Sequence, residues 1–356
     1  MSRNRIDDVR HLFESHRLDA LVVAHLPHVR YLCGFSGSNG LLLITPTNAV
    51  FATDGRYAEQ VKLEVRGPRV VIGAGALIEL IAPAVRFRER TRVGYDPDLT
   101  TVAALSRMRA RMAHVRFVPA PGLLDPLVSV KDAGEIALIR QAIAISEGVF
   151  GEILPMLVPG VRESEVAARI SYLHRIHGAE GDGFEPIVAS GPRGALPHAR
   201  ATDRRVRKGE LVTIDFGCRF RGYHSDITRT VAVGKPNERL KKMYRAVLDS
   251  QLASLLVIRA GLPARAADAE ARRVLRSHRV LQHFRHSLGH GLGLQVHEQP
   301  RLAPTSSDIL RDGQVVTVEP GVYVPGVGGV RIEDDIIVRP HGRDLLTSLP
   351  KELIVL

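Results

Sequence analysis

Five side chains of the kinds that bind metal ions occur in the second half of the sequence, each within a short apolar or glycine-rich run. Asp215 and Glu319 each follow a nearly unbroken apolar run, where an unpaired charge would be costly to bury. The four carboxylates among the five sum to a charge of −4, which two divalent cations balance. Such paired sites hold their metals roughly 3.5–4 Å apart and activate a shared water. The sequence therefore predicts a two-metal centre formed by Asp215, Asp226, His290, Glu319 and Glu333.

Strand alternation predicts how the acidic ligands converge. Side chains two residues apart share a face of a strand, so alternate residues of 211–216 point the same way as Asp215. Glycines in the intervening stretch allow a turn, so 211–216 and 226–233 can pair as a hairpin. Asp215 and Asp226 would then approach each other across it. Both are held on a rigid frame, as a binding site requires.

The other ligands lie in three further runs. Glu319 ends its strand just before Pro320, where strand pairing must stop. A strand over 330–338 would place Glu333 on the same face as Arg331. Glycines at 289, 291 and 293 indicate a loop around the imidazole ligand His290. The remaining histidines of that region, His278, His283 and His286, are interpreted as surface or packing residues.

The residues around these positions resemble metallopeptidase family M24, which includes prolidase, aminopeptidase P and methionine aminopeptidase. The motifs come in the family's order over about residues 130–356, and two further strings resemble the amino-terminal domain of its Xaa-Pro-specific branch. Any one string is weak evidence, whereas five ligand positions in matching contexts are strong evidence. The matching strings are 184–192, 196–199, 225–230, 290–298, 318–321 and 331–334, with 30–38 and 53–57 upstream.

The pattern of elements predicts two domains. Short apolar runs alternating with helices at 4–16, 54–64 and 76–90 are typical of a small α/β domain with a mixed sheet, and the breaker-rich stretch 119–126 makes the linker. Beyond it, long helices mixed with strands indicate an α+β domain with an antiparallel sheet. The resemblance implies a creatinase/prolidase-type N-terminal domain over 1–124 and a pita-bread catalytic domain over 125–356. The predicted helices of the second domain start with a capping box at Asp132 and Glu135 and continue at 163–177, 238–258 and 264–278.

Site roles come from the resemblance. It implies that Glu319 moves a proton between water and the leaving nitrogen, and that His198 and His297 face the substrate. Arg331 would brace the acidic ligands or contact the substrate. Arg56 in the first domain is a candidate partner for a dipeptide's carboxylate, with a solvated surface arginine as the alternative. Oxygen ligands with one imidazole suit Mn²⁺, Co²⁺, Fe²⁺ or Zn²⁺, and the resemblance favours two manganese ions.

The function that these features imply is hydrolysis of the Xaa-Pro bond at the amino end of peptides. An Xaa-Pro dipeptidase (prolidase) is favoured, because the chain carries no extra domain. An aminopeptidase P acting on longer proline-containing peptides is the alternative. Methionine aminopeptidase shares the catalytic domain but not the amino-terminal one. A non-catalytic binding module of the same fold is the alternative from another class, and such relatives lose ligands that are present here.

Composition narrows the cellular location and the partners expected for the protein. No apolar run approaches the ~18 residues of a membrane span, and the first ten residues lack a secretion signal. Two cysteines, Cys33 and Cys218, make a disulfide framework implausible and favour a reducing cytoplasm. The net charge of +11 raises the question of nucleic acid, but the arginines are scattered and no recognition motif accompanies them. We expect a cytoplasmic homodimer with neither a nucleic-acid nor a membrane partner.

Overall fold

The computed structural model describes residues 4–356 and contains two compact units. The first unit ends at Val128 and the second runs from Ser129 to Leu356. This division lies a few residues beyond the one expected at 124/125. The proline-rich stretch before it does not remain irregular throughout, because Asp125–Val128 forms a short helical turn.

A six-stranded mixed sheet forms the first unit, as the sequence predicts. Its strand order is β4-β3-β2-β1-β5-β6, with parallel pairing at β3–β4, β1–β5 and β5–β6 and antiparallel pairing elsewhere. The helices pack apolar residues such as Ile81 and Met108 against it. The elements are α1 Arg5–His16, β1 Ala20–Val23, α2 Leu26–Cys33, β2 Leu41–Ile44, β3 Ala49–Thr53, α3 Gln60–Glu64, β4 Arg69–Ile72, α4 Leu77–Ile81, β5 Arg92–Tyr95, α5 Val102–Arg111, β6 Arg116–Pro119 and α6 Asp125–Val128.

Two helices of this unit are shorter than predicted. The helix expected over 54–64 is divided into a 3-10 turn, which Asp54 caps by accepting a hydrogen bond from the backbone N–H of Arg56, and α3. The helix expected over 76–90 ends at Ile81. Pro83 lies two residues beyond, and its ring would clash with the carbonyl four residues earlier if the α-helix continued through it.

The second unit contains four long helices and thirteen strands. All of its strand pairs are antiparallel. The elements are α7 Ala133–Ile153, α8 Glu163–Ile176, β7 Gly181–Asp182, β8 Ile187–Ser190, β9 Glu210–Phe216, β10 Cys218–Phe220, β11 Tyr223–His224, β12 Ile227–Val233, α9 Glu238–Val257, α10 Ala264–Ser277, β13 Gly289–Gly291, β14 Glu298–Leu302, β15 Val315–Val318, β16 Gly321–Val324, β17 Gly328–Arg331, β18 Asp334–Arg339 and β19 Gly342–Leu345.

The four predicted helices of this unit are confirmed, and α7 begins as its sequence indicates. The Asp132 side chain accepts a hydrogen bond from the N–H of Glu135 at 2.9 Å. The Glu135 side chain accepts one in return from the N–H of Asp132 at 3.0 Å. This capping box satisfies two N–H groups that the helix itself leaves without partners.

Each half of the second unit packs a pair of helices on an antiparallel sheet. In the first half, α7 and α8 bury residues such as Phe150 and Ile170 against the sheet β12-β9-β8. In the second half, α9 and α10 bury Val247 and Ala271 against strands of the sheet β14-β13-β15-β18-β19. The carboxylates predicted as ligands lie on or beside the strands of these two sheets. Within 4–356, no helix has the length and apolar character needed to span a membrane.

Candidate metal centre

The predicted hairpin brings Asp215 and Asp226 together. β9 pairs with β12 so that Asp215 lies opposite Thr228, and both carboxylates are buried. The hydroxyls of Thr213 and Thr230, two pairs further along the ladder, are 3.1 Å apart, which shows that these alternate residues share a face. Asp226 lies immediately before β12 and its backbone N–H donates to Asp335 at 3.1 Å.

His290 lies on a short strand and not on the predicted loop. It is the central residue of β13, which pairs with β14 and β15. The glycines on either side of it allow the neighbouring strands to approach closely and do not form a turn. A Cβ atom at Gly289 would lie 2.1 Å from the carbonyl oxygen of Thr317, and one at Gly291 would lie 2.2 Å from that of Gln299. Only glycine lets the neighbouring strands come so near.

Glu319 and Glu333 both lie where strands end. Glu319 directly follows β15, as predicted. The strand predicted over 330–338 is broken, because β17 ends at Arg331 and β18 begins at Asp334. Glu333 lies in the gap, where the chain passes from the two-stranded sheet to the five-stranded sheet. Its N–H donates to the carbonyl of Thr228 at 3.1 Å, and the Thr228 hydroxyl donates to its carboxylate at 2.7 Å.

These side chains face one another at distances suited to a shared cation. One ligand atom from each of Asp226, His290 and Glu333 lies within 4.8 Å of the others. Nε2 of His290 lies 3.7 Å from Asp226 and 3.4 Å from Glu319. Oδ1 of Asp215 is buried and has no hydrogen-bond partner among the described residues. The assignment of all five as metal ligands stays a prediction, which this geometry supports.

The electrostatics of the cluster favour a bound cation. Burial, reinforced by repulsion from neighbouring carboxylates, raises the pKa of Asp226 and Glu319 well above the ordinary range and that of Glu333 to about 8. Burial lowers the pKa of His290 to about 4, so this imidazole is neutral near pH 7. Its Nδ1–H can donate to the carbonyl of Gly291 at 3.0 Å, which leaves the Nε2 lone pair directed at the carboxylates. The residues therefore fit divalent metal ions.

Arg331 braces two of the acidic residues. Its guanidinium is buried and donates to Oδ2 of Asp215, while its Nε–H donates to the hydroxyl of Thr228 at 3.0 Å. That hydroxyl in turn donates to Glu333, so one arginine orients both carboxylates. The bracing role expected of Arg331 is therefore visible in its contacts, and a contact with substrate stays a prediction.

Tyr323 and His286 extend this network, and neither was expected in it. The Tyr323 hydroxyl accepts a hydrogen bond from Nη1 of Arg331 at 2.7 Å and can donate its own proton to Nε2 of His286, 2.8 Å away. Nδ1 of His286 can donate to the carbonyl of Ser287 at 2.8 Å, which defines a neutral tautomer. His286 is thus a packing residue, as interpreted, but one that supports the site. The only sequence feature that pointed to a role of His286 at the site was its spacing of four residues from His290.

The two histidines expected to face the substrate are exposed beside the cluster. The ring of His297 lies 4.3 Å from that of His290, centroid to centroid. Partial loss of hydration beside the cluster lowers the pKa of His297, and the charge of nearby His198 lowers it further. The structure therefore places His198, His297 and His290 in one region of the second unit. Their roles toward substrate stay predictions.

Arg56 lies in the first unit, with its side chain 71% exposed. Its guanidinium makes two hydrogen bonds to Asp54, each 2.9 Å long. A substrate carboxylate would have to share or displace this partner. The role predicted for Arg56 in substrate binding is untested by these contacts.

A buried group of carboxylates with one neutral imidazole, held on antiparallel strands, defines a candidate divalent-metal centre of the hydrolytic type. Residues 137–340 match metallopeptidase family M24, and residues 5–127 match the creatinase/prolidase N-terminal domain. The chain belongs to metallopeptidase family M24. The expected α+β pita-bread catalytic domain, preceded by a smaller α/β domain, is thereby confirmed.

Full-length relatives support the same assignment. The chain is 33% identical over 355 residues to the Xaa-Pro dipeptidase of Pyrococcus horikoshii, a match that covers 98% of each chain. It matches the structure of the Xaa-Pro dipeptidase from Bacillus anthracis with a TM-score of 0.95 and 40% identity, covering 99% of both chains. The X-Pro aminopeptidase from Thermotoga maritima gives a TM-score of 0.89 and 34% identity, covering 96% of this chain and 100% of that one.

Replacing any of the five predicted ligands by alanine should lower metal occupancy and abolish turnover. The charge balance leaves no spare ligand, so Asp215→Ala, Asp226→Ala, His290→Ala, Glu319→Ala and Glu333→Ala should behave alike. Elemental analysis of purified, metal-loaded protein measures the bound ions. Glu135→Gln changes a buried carboxylate of α7 outside the cluster and should keep full occupancy. A Glu333→Ala protein with intact metal and full activity would contradict this assignment.

Proposed function

We propose that the protein hydrolyses the Xaa-Pro bond of dipeptides, using two divalent metal ions. The observation that carries the proposal is the buried ligand cluster around Asp226, His290 and Glu333, in a chain that matches Xaa-Pro dipeptidases over its full length. Aminopeptidase P activity on longer peptides is the second candidate, because the Thermotoga X-Pro aminopeptidase is also similar over nearly the whole chain. A non-catalytic binding module of the same fold is the alternative from another class, and the presence of all five predicted ligand residues argues against it.

The chemistry of a bond before proline sets two demands. That bond is a tertiary amide without N–H, so its nitrogen must be protonated as the bond breaks. The carbonyl carbon must also be attacked by water. When bound, divalent ions held by Asp215, Asp226, His290, Glu319 and Glu333 would polarise the carbonyl and lower the pKa of water to near neutrality.

The protein's own residues supply the proton transfer and the orientation. Glu319 lies in the cluster, with its carboxylate 3.4 Å from Nε2 of His290, so it can take a proton from the attacking water and deliver it to the proline nitrogen. His198 and His297 can donate hydrogen bonds to the substrate carbonyl oxygen as it gains charge. Arg331 keeps Asp215 and the Thr228–Glu333 pair in fixed orientations through its contacts.

Manganese is the metal that we propose, with cobalt, zinc and iron as alternatives. All four accept oxygen ligands together with one imidazole. We also propose that the protein is a homodimer. We further propose that it acts in the cytoplasm, and the two free, buried cysteines support this location because neither forms a disulfide. Sedimentation analysis and cell fractionation test these two points.

Metal-loaded protein should hydrolyse Xaa-Pro dipeptides, and dialysis against a chelator should remove that activity. A divalent ion relieves the repulsion among these carboxylates, so reloading should be efficient near and above neutral pH, where protons compete less for the ligands. Hydrolysis is measured before dialysis, after it, and after addition of Mn²⁺ or Co²⁺. Calcium and buffer alone serve as controls. Absence of hydrolysis on every Xaa-Pro substrate by protein that holds its metals would remove the proposed function.

Changing either exposed histidine should reduce the rate while the metals stay bound. His198→Ala and His297→Ala should each lose roughly 10²- to 10³-fold in kcat, as expected when a donor to the developing oxyanion is removed. Steady-state kinetics and metal content are measured on the same preparations. Loss of metal in either variant would instead make that histidine a ligand.

Arg56 should distinguish dipeptides from longer peptides. A dipeptide ends in a carboxylate directly after proline, and a cation placed there favours it, whereas a tripeptide needs the space open. Arg56→Ala should therefore raise KM for Xaa-Pro while sparing or improving cleavage of Xaa-Pro-Yaa. Arg66→Ala, which changes an exposed arginine of the same unit, is the matched control. Equal losses on both substrates, or none on either, would exclude Arg56 from this role.

A further inference from the structure

His198 lies on an irregular stretch of chain, which we call the His198 segment and define as residues 191–201. It leaves β8 as a 3-10 turn over Gly191–Ala195 and has no strand or helix after that turn. A side chain that must meet a substrate needs a fixed backbone, and regular pairing does not supply one here. The contacts that hold this segment therefore decide where the imidazole of His198 lies.

A single buried carboxylate joins the two ends of the His198 segment. Glu163, the first residue of α8, is fully buried and accepts five hydrogen bonds. At the start of the segment, Oε1 accepts from the N–H and the hydroxyl of Ser190, each at 2.8 Å. Oε2 accepts from Nε of Arg193 at 3.0 Å, and beyond the segment from the N–H and hydroxyl of Thr202 at 3.2 and 2.8 Å.

The backbone of α8 reinforces the same connection. The first N–H groups of a helix have no partners within it. Here the N–H of Glu163 donates to the carbonyl of Arg204 at 3.1 Å, and that of Ser164 donates to the carbonyl of Thr202 at 2.9 Å. The helix terminus thus satisfies its own polar groups by fixing the chain that follows the His198 segment.

The middle of the His198 segment is held by contacts with β17, including one from Arg331, which also contacts the predicted ligand Asp215. Nη1 of Arg331 donates to the carbonyl of Pro197 at 3.2 Å, one residue before His198. Gly194 packs so closely on β17 that a Cβ atom there would lie 2.8 Å from the backbone nitrogen of Gly329. With both ends joined to Glu163 and the middle held by Arg331, the segment has little freedom to move.

We propose that Glu163 is a positioning residue, which fixes the His198 segment so that His198 meets the substrate. The proposal rests on the role given to His198 in the proposed function. The Glu163 carboxylate accepts its hydrogen bonds from Ser190, Arg193 and Thr202, none of which is a predicted metal ligand. Its carboxylate is suited to the task because both oxygens are acceptors only. An amide in its place would set an NH₂ group against N–H donors in either orientation, since Ser190 faces one oxygen and Arg193 and Thr202 face the other.

A double-mutant cycle on kcat/KM for an Xaa-Pro dipeptide tests this assignment. Glu163→Gln alone should lose about 10-fold or more, because displacement of a catalytic group by a fraction of an ångström is costly. In a His198→Ala background the same change should cost less than about twofold, since the group it positions is gone. In a His297→Ala background it should keep its full effect. Glu165→Gln, an exposed capping residue two positions along the same helix, is the matched control.

Equal fold losses from Glu163→Gln in the wild-type and His198→Ala backgrounds would overturn the proposal, as would no loss in the wild type. Metal content and thermal unfolding show whether each variant remains folded. If Glu163→Gln does not fold, Thr202→Val takes its place in the same cycle. This substitution removes one of the five hydrogen bonds to Glu163, the one from the Thr202 hydroxyl. The expected coupling with His198→Ala is then smaller but of the same sign.

Amide hydrogen exchange gives a measure that does not depend on activity. Glu163→Gln should speed exchange in residues 191–204 and leave β9 and β12 unchanged. If the wild-type protein cleaves no Xaa-Pro substrate, the proposed function fails, and the exchange experiment still decides whether Glu163 holds the segment. Unchanged exchange over 191–204 would overturn the positioning role by itself.

Discussion

Mutual repulsion among buried carboxylates is the constraint on which the second unit depends. Asp226 and Glu333 are buried and Glu319 is largely so, and each has a raised pKa because burial and the neighbouring charges disfavour ionisation. Without a bound cation, bringing these repelling carboxylates together is energetically unfavourable. Divalent ions held by these residues would supply the missing positive charge. The neutral His290 fits this scheme, because a cationic imidazole would compete with the metal.

Buried cations at the edge of the cluster hold the acidic groups in position without neutralising the centre. Arg331 contacts Asp215 and reaches Glu333 through the Thr228 hydroxyl. Arg229 donates to the carbonyl of Glu333 and pairs with Asp334 at 2.8 Å. Asp334 keeps a lowered pKa although burial opposes it, because Arg229 and Lys351 lie beside it. Each buried arginine has several acceptors, which is the condition under which such a charge is tolerated.

Local patterns were sufficient where the physical cause is local. Alternation along a strand predicted the hairpin that brings Asp215 near Asp226, and the capping box predicted the start of α7. The environment of His290 was predicted wrongly, because glycines needed for close strand approach have the same sequence signature as glycines of a turn. Glu163 gave no signal, since its partners are 27 to 39 residues away.

The residues predicted to bind metal and those predicted to face the substrate lie on different kinds of backbone. The predicted ligands lie on strands or strand ends, where repelling charges need the stiffest support. The two histidines predicted to face the substrate lie on irregular chain. Glu163 holds the His198 segment. Glu298, adjacent to His297, accepts from Lys131 at 2.7 Å and from the N–H of Gln295 at 3.0 Å. Because a charged acceptor can bind several donors at once, one carboxylate can fix a segment that has no strand partner.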